Sequence, residues 1–122
     1  MFKVIMLVKK KDSLTQEEFV ALWQAHSQKV MTFKSALQIQ YYSKTFPLSA
    51  THSPSTQRET EPFVYDAMGE LWYESKAAFI QARNSPAGRQ ALAILKEDER
   101  QFVDLARSVM WLGEEEPVLS WY

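Results

Sequence analysis

Residues 2–19 read FKVIMLVKKKDSLTQEEF, and this stretch decides the fold. Its first half alternates. Phe2, Val4, Met6 and Val8 face one way, while Ile5 and Leu7, lying between Lys3 and Lys9, face the other, which predicts a strand buried on both sides at its middle. Its second half starts a helix. Thr15 is placed to cap it, Glu18 three residues later completes a capping box, and Leu14 is placed to staple onto Phe19. Downstream, Phe19, Leu22, Trp23, His26 and Val30 recur at helical spacing and form one stripe facing the sheet.

Working outward, Leu37-Gln38-Ile39-Gln40-Tyr41-Tyr42 alternates apolar residues with glutamine, the pattern of a half-buried strand near a sheet edge. Residues 47 to 62 carry Pro47, Pro54 and Pro62 among Ser and Thr, and are expected to form a long mobile loop, a candidate lid. A third strand is predicted from Tyr65 to Tyr73. It puts Ala67, Gly69 and Leu71 on one side and Asp66, Met68, Glu70 and Trp72 on the other. Ser75 opens a second helix that Ser85-Pro86 should kink or split, because serine caps and proline suits a first turn. The last strand spans Ser108 to Gly113, followed by a tail that ends in Trp121 and Tyr122. The order is β-α-β-β-α-β, a split βαβ arrangement: an α+β domain with a four-stranded antiparallel sheet, one face under helices and the other bare. A bare face bearing Met68 and Trp72 asks for a partner, so a homodimer with two sheets stacked about 10 Å apart is expected.

The 122 residues suit one domain, 1–122. A net charge of -1 argues against a nucleic-acid surface, and Lys9, Lys10 and Lys11 read as a solvated strand end. The chain has no cysteine, which removes disulfides, thiolate metal sites and cysteine nucleophiles. No run approaches the ~20 apolar residues of a membrane span, and the N-terminal stretch is too short for a signal core. A soluble cytoplasmic protein with no membrane partner is expected.

Glycine-rich phosphate loops, nucleophile elbows and zinc-binding HExxH patterns are absent, so no cofactor and no metal site is expected. His26 is the sharpest candidate, since imidazole exchanges protons near neutrality; it can equally be a core histidine with one nitrogen bonded to a carbonyl. His52, in the polar loop, reads as exposed. Asp66 and Glu70 share a strand face and suit acid–base work or, more simply, salt bridges. Ala67 and Gly69 are small for positions beneath helices, so Trp23, Met6, Leu71, Tyr73 and Phe79 either line an apolar pocket there or, in the case of Trp23, fill it.

Five stretches in order resemble one family: Leu14 to Phe19, Trp23-x-x-His26, Glu70-Leu71-Trp72-Tyr73, Ser85-Pro86-x-Gly88 and Phe102-Val103-Asp104. They resemble the EthD family over nearly the whole chain. That resemblance implies a ferredoxin-like dimeric α+β barrel, with His26 as the acid/base or ligand-orienting residue and Asp104 as the group that fixes its tautomer. The sequence departs from the family pattern at Ser27-Gln28-Lys29 and Ser35-Ala36. The family takes its name from a component of bacterial ethyl tert-butyl ether degradation, and related domains are associated with fungal polyketide dehydratases. The implied function is binding of a hydrophobic or aromatic small molecule between helices and sheet, by a cofactor-free lyase or cyclase of ether, polyketide or aromatic metabolism. A non-catalytic binding protein of an oxidative degradation pathway, or a cofactor-free quinol-type monooxygenase, are the alternatives.

Overall fold

The computed structural model describes residues 1–48 and 60–120. In chain order these form β1 (Phe2–Val8), α1 (Gln16–Thr32), α2 (Lys34–Leu37), β2 (Tyr41–Thr45), β3 (Ala67–Tyr73), α3 (Lys76–Asn84), α4 (Pro86–Glu99) and β4 (Val109–Glu114). The sheet runs β2-β3-β1-β4 with every pair antiparallel, which is the expected ferredoxin-like α+β topology. Among the described residues no helix is long and apolar enough to cross a membrane. Much of the loop expected over residues 47 to 62, with His52, lies outside the described residues, as do Trp121 and Tyr122.

Helix α1 starts as its sequence dictates. The Glu18 amide donates to the Thr15 hydroxyl at 3.1 Å and the Thr15 amide to Glu18 Oε1 at 2.9 Å, so two amides that the helix leaves unpaired are satisfied. Leu14 packs against the cluster that holds Phe19. Downstream, Ser85 divides the second helical region into α3 and α4. Its hydroxyl donates to the Ala82 carbonyl at 2.7 Å and accepts from the Gly88 amide at 3.0 Å, ending one helix and capping the next. At Gly88 a β-carbon would overlap the Ala82 carbonyl, so the corner requires glycine.

The second strand corrects the sequence reading. Tyr41 and Tyr42 begin it, but Leu37 ends the short helix α2 and Gln38 turns the chain with a positive φ of 56°. Leu37 packs with Val30, Ala91 and Leu95, and Ile39 packs beside them. The apolar alternation therefore marks two anchors of a helix-to-strand turn, spaced like strand residues but not in a strand. The lysines after β1 are also more than a solvated end: Lys11 N donates to the Phe102 carbonyl and Asp104 N to that of Lys9, tying the segment before β4 to the end of β1.

The sheet's helix side carries Phe2, Val4, Met6 and Val8 opposite Tyr73, Leu71, Gly69 and Ala67. The other side carries Met68, Glu70 and Trp72 with Lys3, Ile5 and Leu7, extended by Tyr41 and Trp111. Lys3 sits 3.9 Å above the Trp72 ring and forms ion pairs with Glu70 and Glu115, which settles Glu70 into the salt-bridge role. Asp66 accepts the Lys10 amide at 2.8 Å.

Candidate functional site

The small strand residues make room for one large side chain. A β-carbon on Gly69 would lie 3.1 Å from both Met6 Cε and Trp23 Cζ2, so the indole and the methionine take the space that a pocket there would need. Trp23 and Ala67 are buried with Phe19, Val8, Phe102 and Val103. Tyr73 and Phe79 belong to a different cluster, with Phe2 and Val4, and Leu71 packs beside that one. The residues expected to line one pocket are thus divided between two packed regions. Burial pushes the Tyr73 phenol up to about 12, Arg83 offsetting a part, so Tyr73 holds its proton at neutral pH.

His26 lies at the seam between α1 and α4, 6% exposed, with its ring edge-on to Phe102 at 5.2 Å between centroids. Its Nδ1 lies 2.7 Å from Asp98 Oδ2, while Lys29 Nζ donates to Asp98 Oδ1 at 2.6 Å. Burial raises the Asp98 carboxyl, but the hydrogen bonds from Lys29 and His26 outweigh it and hold the group below the usual carboxylate range. An ionised carboxylate only accepts, so the shared proton sits on Nδ1, and neutral His26 presents a bare Nε2. Nε2 has no hydrogen-bond partner among the described residues, and since no fully buried side-chain nitrogen or oxygen there lacks one, Nε2 keeps a small solvent-accessible surface.

Asp104 corrects the carboxylate expected beside His26. Arg107 Nε donates to it at 2.7 Å and also engages Asp12, so Asp104 belongs to an exposed loop pairing, whose hydrogen bond from Arg107 lowers its carboxyl. The imidazole's partner is Asp98. The two aspartates are close in sequence, but Asp98 is on the last turn of α4, which packs on α1, and Asp104 is past the chain's turn back to the sheet.

A second polar chain adjoins the first. Ser27, one residue after His26 on α1, lies 3.1 Å from the Tyr42 hydroxyl, which accepts from Trp23 Nε1 at 2.9 Å. Burial raises the Tyr42 phenol, against the two hydrogen bonds. Lys44, on the same side of β2, lies 5.6 Å from the Trp23 ring and is lowered by burial. Phe46 meets Trp23 at 5.9 Å. Among the described residues no three His, Cys, Asp or Glu side chains are grouped as metal ligands. Sequence reading missed Asp98, Tyr42 and Ser27. The one available signal was Ser27 beside His26, on the face that meets Tyr42.

A family model for the EthD domain matches residues 11–106. This chain belongs to the EthD family. No curated protein matches it. Among solved structures, an EthD family protein from Bacillus halodurans is 16% identical, with a TM-score of 0.63, covering 95% of this chain and 99% of that one. The hydroxynitrile lyase from Passiflora edulis is 11% identical, with a TM-score of 0.63, covering 98% and 96%. A protein from Bacteroides fragilis described as dimeric with a ferredoxin-like fold is 10% identical, with a TM-score of 0.58, covering 93% and 95%. At these identities the likeness establishes the shared fold. In this EthD member the family match includes both α1 with His26 and α4 with Asp98, so the seam falls inside the matched domain.

Proposed function

We propose that this EthD family protein is a homodimer that binds a hydrophobic or aromatic small molecule beside His26 and moves a proton on it without a cofactor, as a lyase or cyclase does. The observation that carries the reading is the 2.7 Å contact of Asp98 with Nδ1, which leaves Nε2 as an oriented base. Phe102 lies against the His26 ring, with Trp23 against Phe102 and Phe46 against Trp23, an apolar and aromatic surface running from the imidazole. Supporting the dimer, Tyr41, Val109 and Trp111 are exposed on the bare sheet side, and a neighbour of the same fold is described as dimeric. The likeness in fold to a lyase adds to the catalytic reading.

The test starts from metabolites retained by the purified protein, identified by mass spectrometry, then incubated with it in deuterium oxide. Wild-type protein should wash deuterium into the bound compound. His26→Gln keeps hydrogen-bonding capacity at similar size but does not titrate near neutrality, and should slow the exchange by roughly 10²–10⁴-fold. Equal exchange in both proteins would refute the catalytic role. A second reading is a binding protein without turnover, in which the oriented Nε2 only accepts a hydrogen bond from the bound molecule. On that reading neither protein exchanges, and the variant changes affinity alone.

A further inference from the structure

Donors and acceptors are out of balance where α1 meets β2. Tyr42 and Lys44 stand opposite Leu71 and Gly69 in the register of β2 with β3, so both side chains lie on the helix side of the sheet. There Trp23 Nε1 donates to the Tyr42 hydroxyl at 2.9 Å, and Ser27 Oγ lies 3.1 Å from the same oxygen. A single proton bridges the two hydroxyls. An indole N–H only donates, so whichever hydroxyl gives the bridging proton, the other keeps an O–H with no acceptor among the described residues.

Lys44 adds a cation to this excess of donors. Its ammonium lies 5.6 Å from the centre of the Trp23 ring and makes no hydrogen bond or ion pair with any described residue. A ring face attracts the charge but leaves its N–H groups unused. The side chain is half-buried, and burial lowers the ammonium, as befits a cation set partly out of water without a counter-ion. Next to it Phe46, 37% exposed, meets the buried Trp23 ring edge-on at 5.9 Å. One indole thus holds the phenol at its nitrogen, the ammonium off its ring and an accessible aromatic side chain at its edge.

We infer that Lys44 and the hydroxyl pair of Tyr42 and Ser27 form the anion-binding end of the ligand surface, and that the molecule bound there is an aromatic acid, its carboxylate or phenolate oxygen on the ammonium and its ring on Phe46. This rests on the reading that the aromatic surface running from His26 through Phe102 and Trp23 to Phe46 holds the ligand, and it adds the charge that the ligand carries. A neutral carbonyl can accept from these donors, but an anionic oxygen also meets the cation, and charge-assisted bonds are the stronger kind. Glu99, on α4, is the carboxylate whose charge reaches Tyr42. It makes no ion pair with Lys44, and burial raises its carboxyl above the ordinary value, with His26 and Lys96 pulling the other way.

The test compares two probes of one shape, naphthoate and naphthamide, titrated into the protein and followed through the Trp23 indole N–H by NMR. In the wild type, naphthoate should shift that signal and bind roughly tenfold more tightly than the amide. Equal affinities, or a Trp23 signal that naphthoate leaves in place, overturn the proposal in the wild-type protein alone. Lys44→Met keeps the stem and removes the charge, so naphthoate should weaken roughly tenfold while the amide stays within about twofold. Undiminished naphthoate binding in Lys44→Met also overturns the proposal. The two readings fail separately: equal deuterium exchange in wild type and His26→Gln refutes the proton transfer and leaves the preference for naphthoate as it stands, whereas probes bound alike overturn the anion site and leave the exchange as it stands.

Discussion

Two regions under the helices looked alike in promise and turn out opposite. Beneath α1, Ala67 and Gly69 leave room on the sheet, and Trp23 and Met6 occupy it. At the seam of α1 with α4, His26 Nε2 and the half-buried Glu99 carboxyl have no hydrogen-bond partner among the described residues. Small residues on a strand therefore mark where a large partner packs. A polar group placed on an apolar stripe and bonded through one atom only is the better sign of a working site, because packing alone gives no reason for it.

The largest effect expected from breaking this contrast is at Trp23. Trp23→Ala removes the filler and the donor to Tyr42, and should cost about 3–5 kcal/mol in urea unfolding. A loss below 1 kcal/mol would mean that the indole is not what closes the region. Adding bulk on the strand instead, Gly69→Leu presses on a ring already held by Phe19, Phe102 and Tyr42, and should destabilise by about 1–3 kcal/mol. A more stable variant would show that space remains there.

At the seam, Asp98→Asn weakens two charge-assisted bonds and should cost about 1–3 kcal/mol at neutral pH. The sign with pH follows from the lowered Asp98 carboxyl: its contribution is present above the unfolded carboxylate value and fades as acid protonates the native group. Wild-type and variant stabilities should therefore converge below about pH 4. Glu99→Gln runs the other way. A raised carboxyl favours the native state in acid and ceases to do so as pH climbs through its native value, so the variant should be the more stable protein at neutral pH and lose that lead in acid. The smallest change belongs to Asp104→Asn. Its pairing with Arg107 lies in an exposed loop, and thermal melting should barely move.

Much of this contrast was legible in the chain. Thr15, Glu18 and Leu14 fix where α1 begins, and from there the helical spacing puts Trp23 and His26 on the buried face. Ser85-Pro86 marks the helix boundary because both residues act locally. Leu37 and Ile39 misled because a helix end followed by a left-handed residue also buries alternate side chains. Asp98 was hidden for a different reason. Nothing local separates it from Glu97 or Glu99 on a charged helix; the packing of α4 on α1 chooses which carboxylate meets the imidazole, and that is a long-range fact. Asp104 attracted attention through family likeness, while its own Arg107, three residues away, holds it in the loop.

The claim on which the site depends is the state of one ring. Nitrogen-15 NMR of His26 reads it directly at a pH where the imidazole is neutral. A proton on Nδ1 with Nε2 bare, the preference weakening in Asp98→Asn, is the predicted result; a proton on Nε2, or a tautomer indifferent to Asp98, would contradict the account.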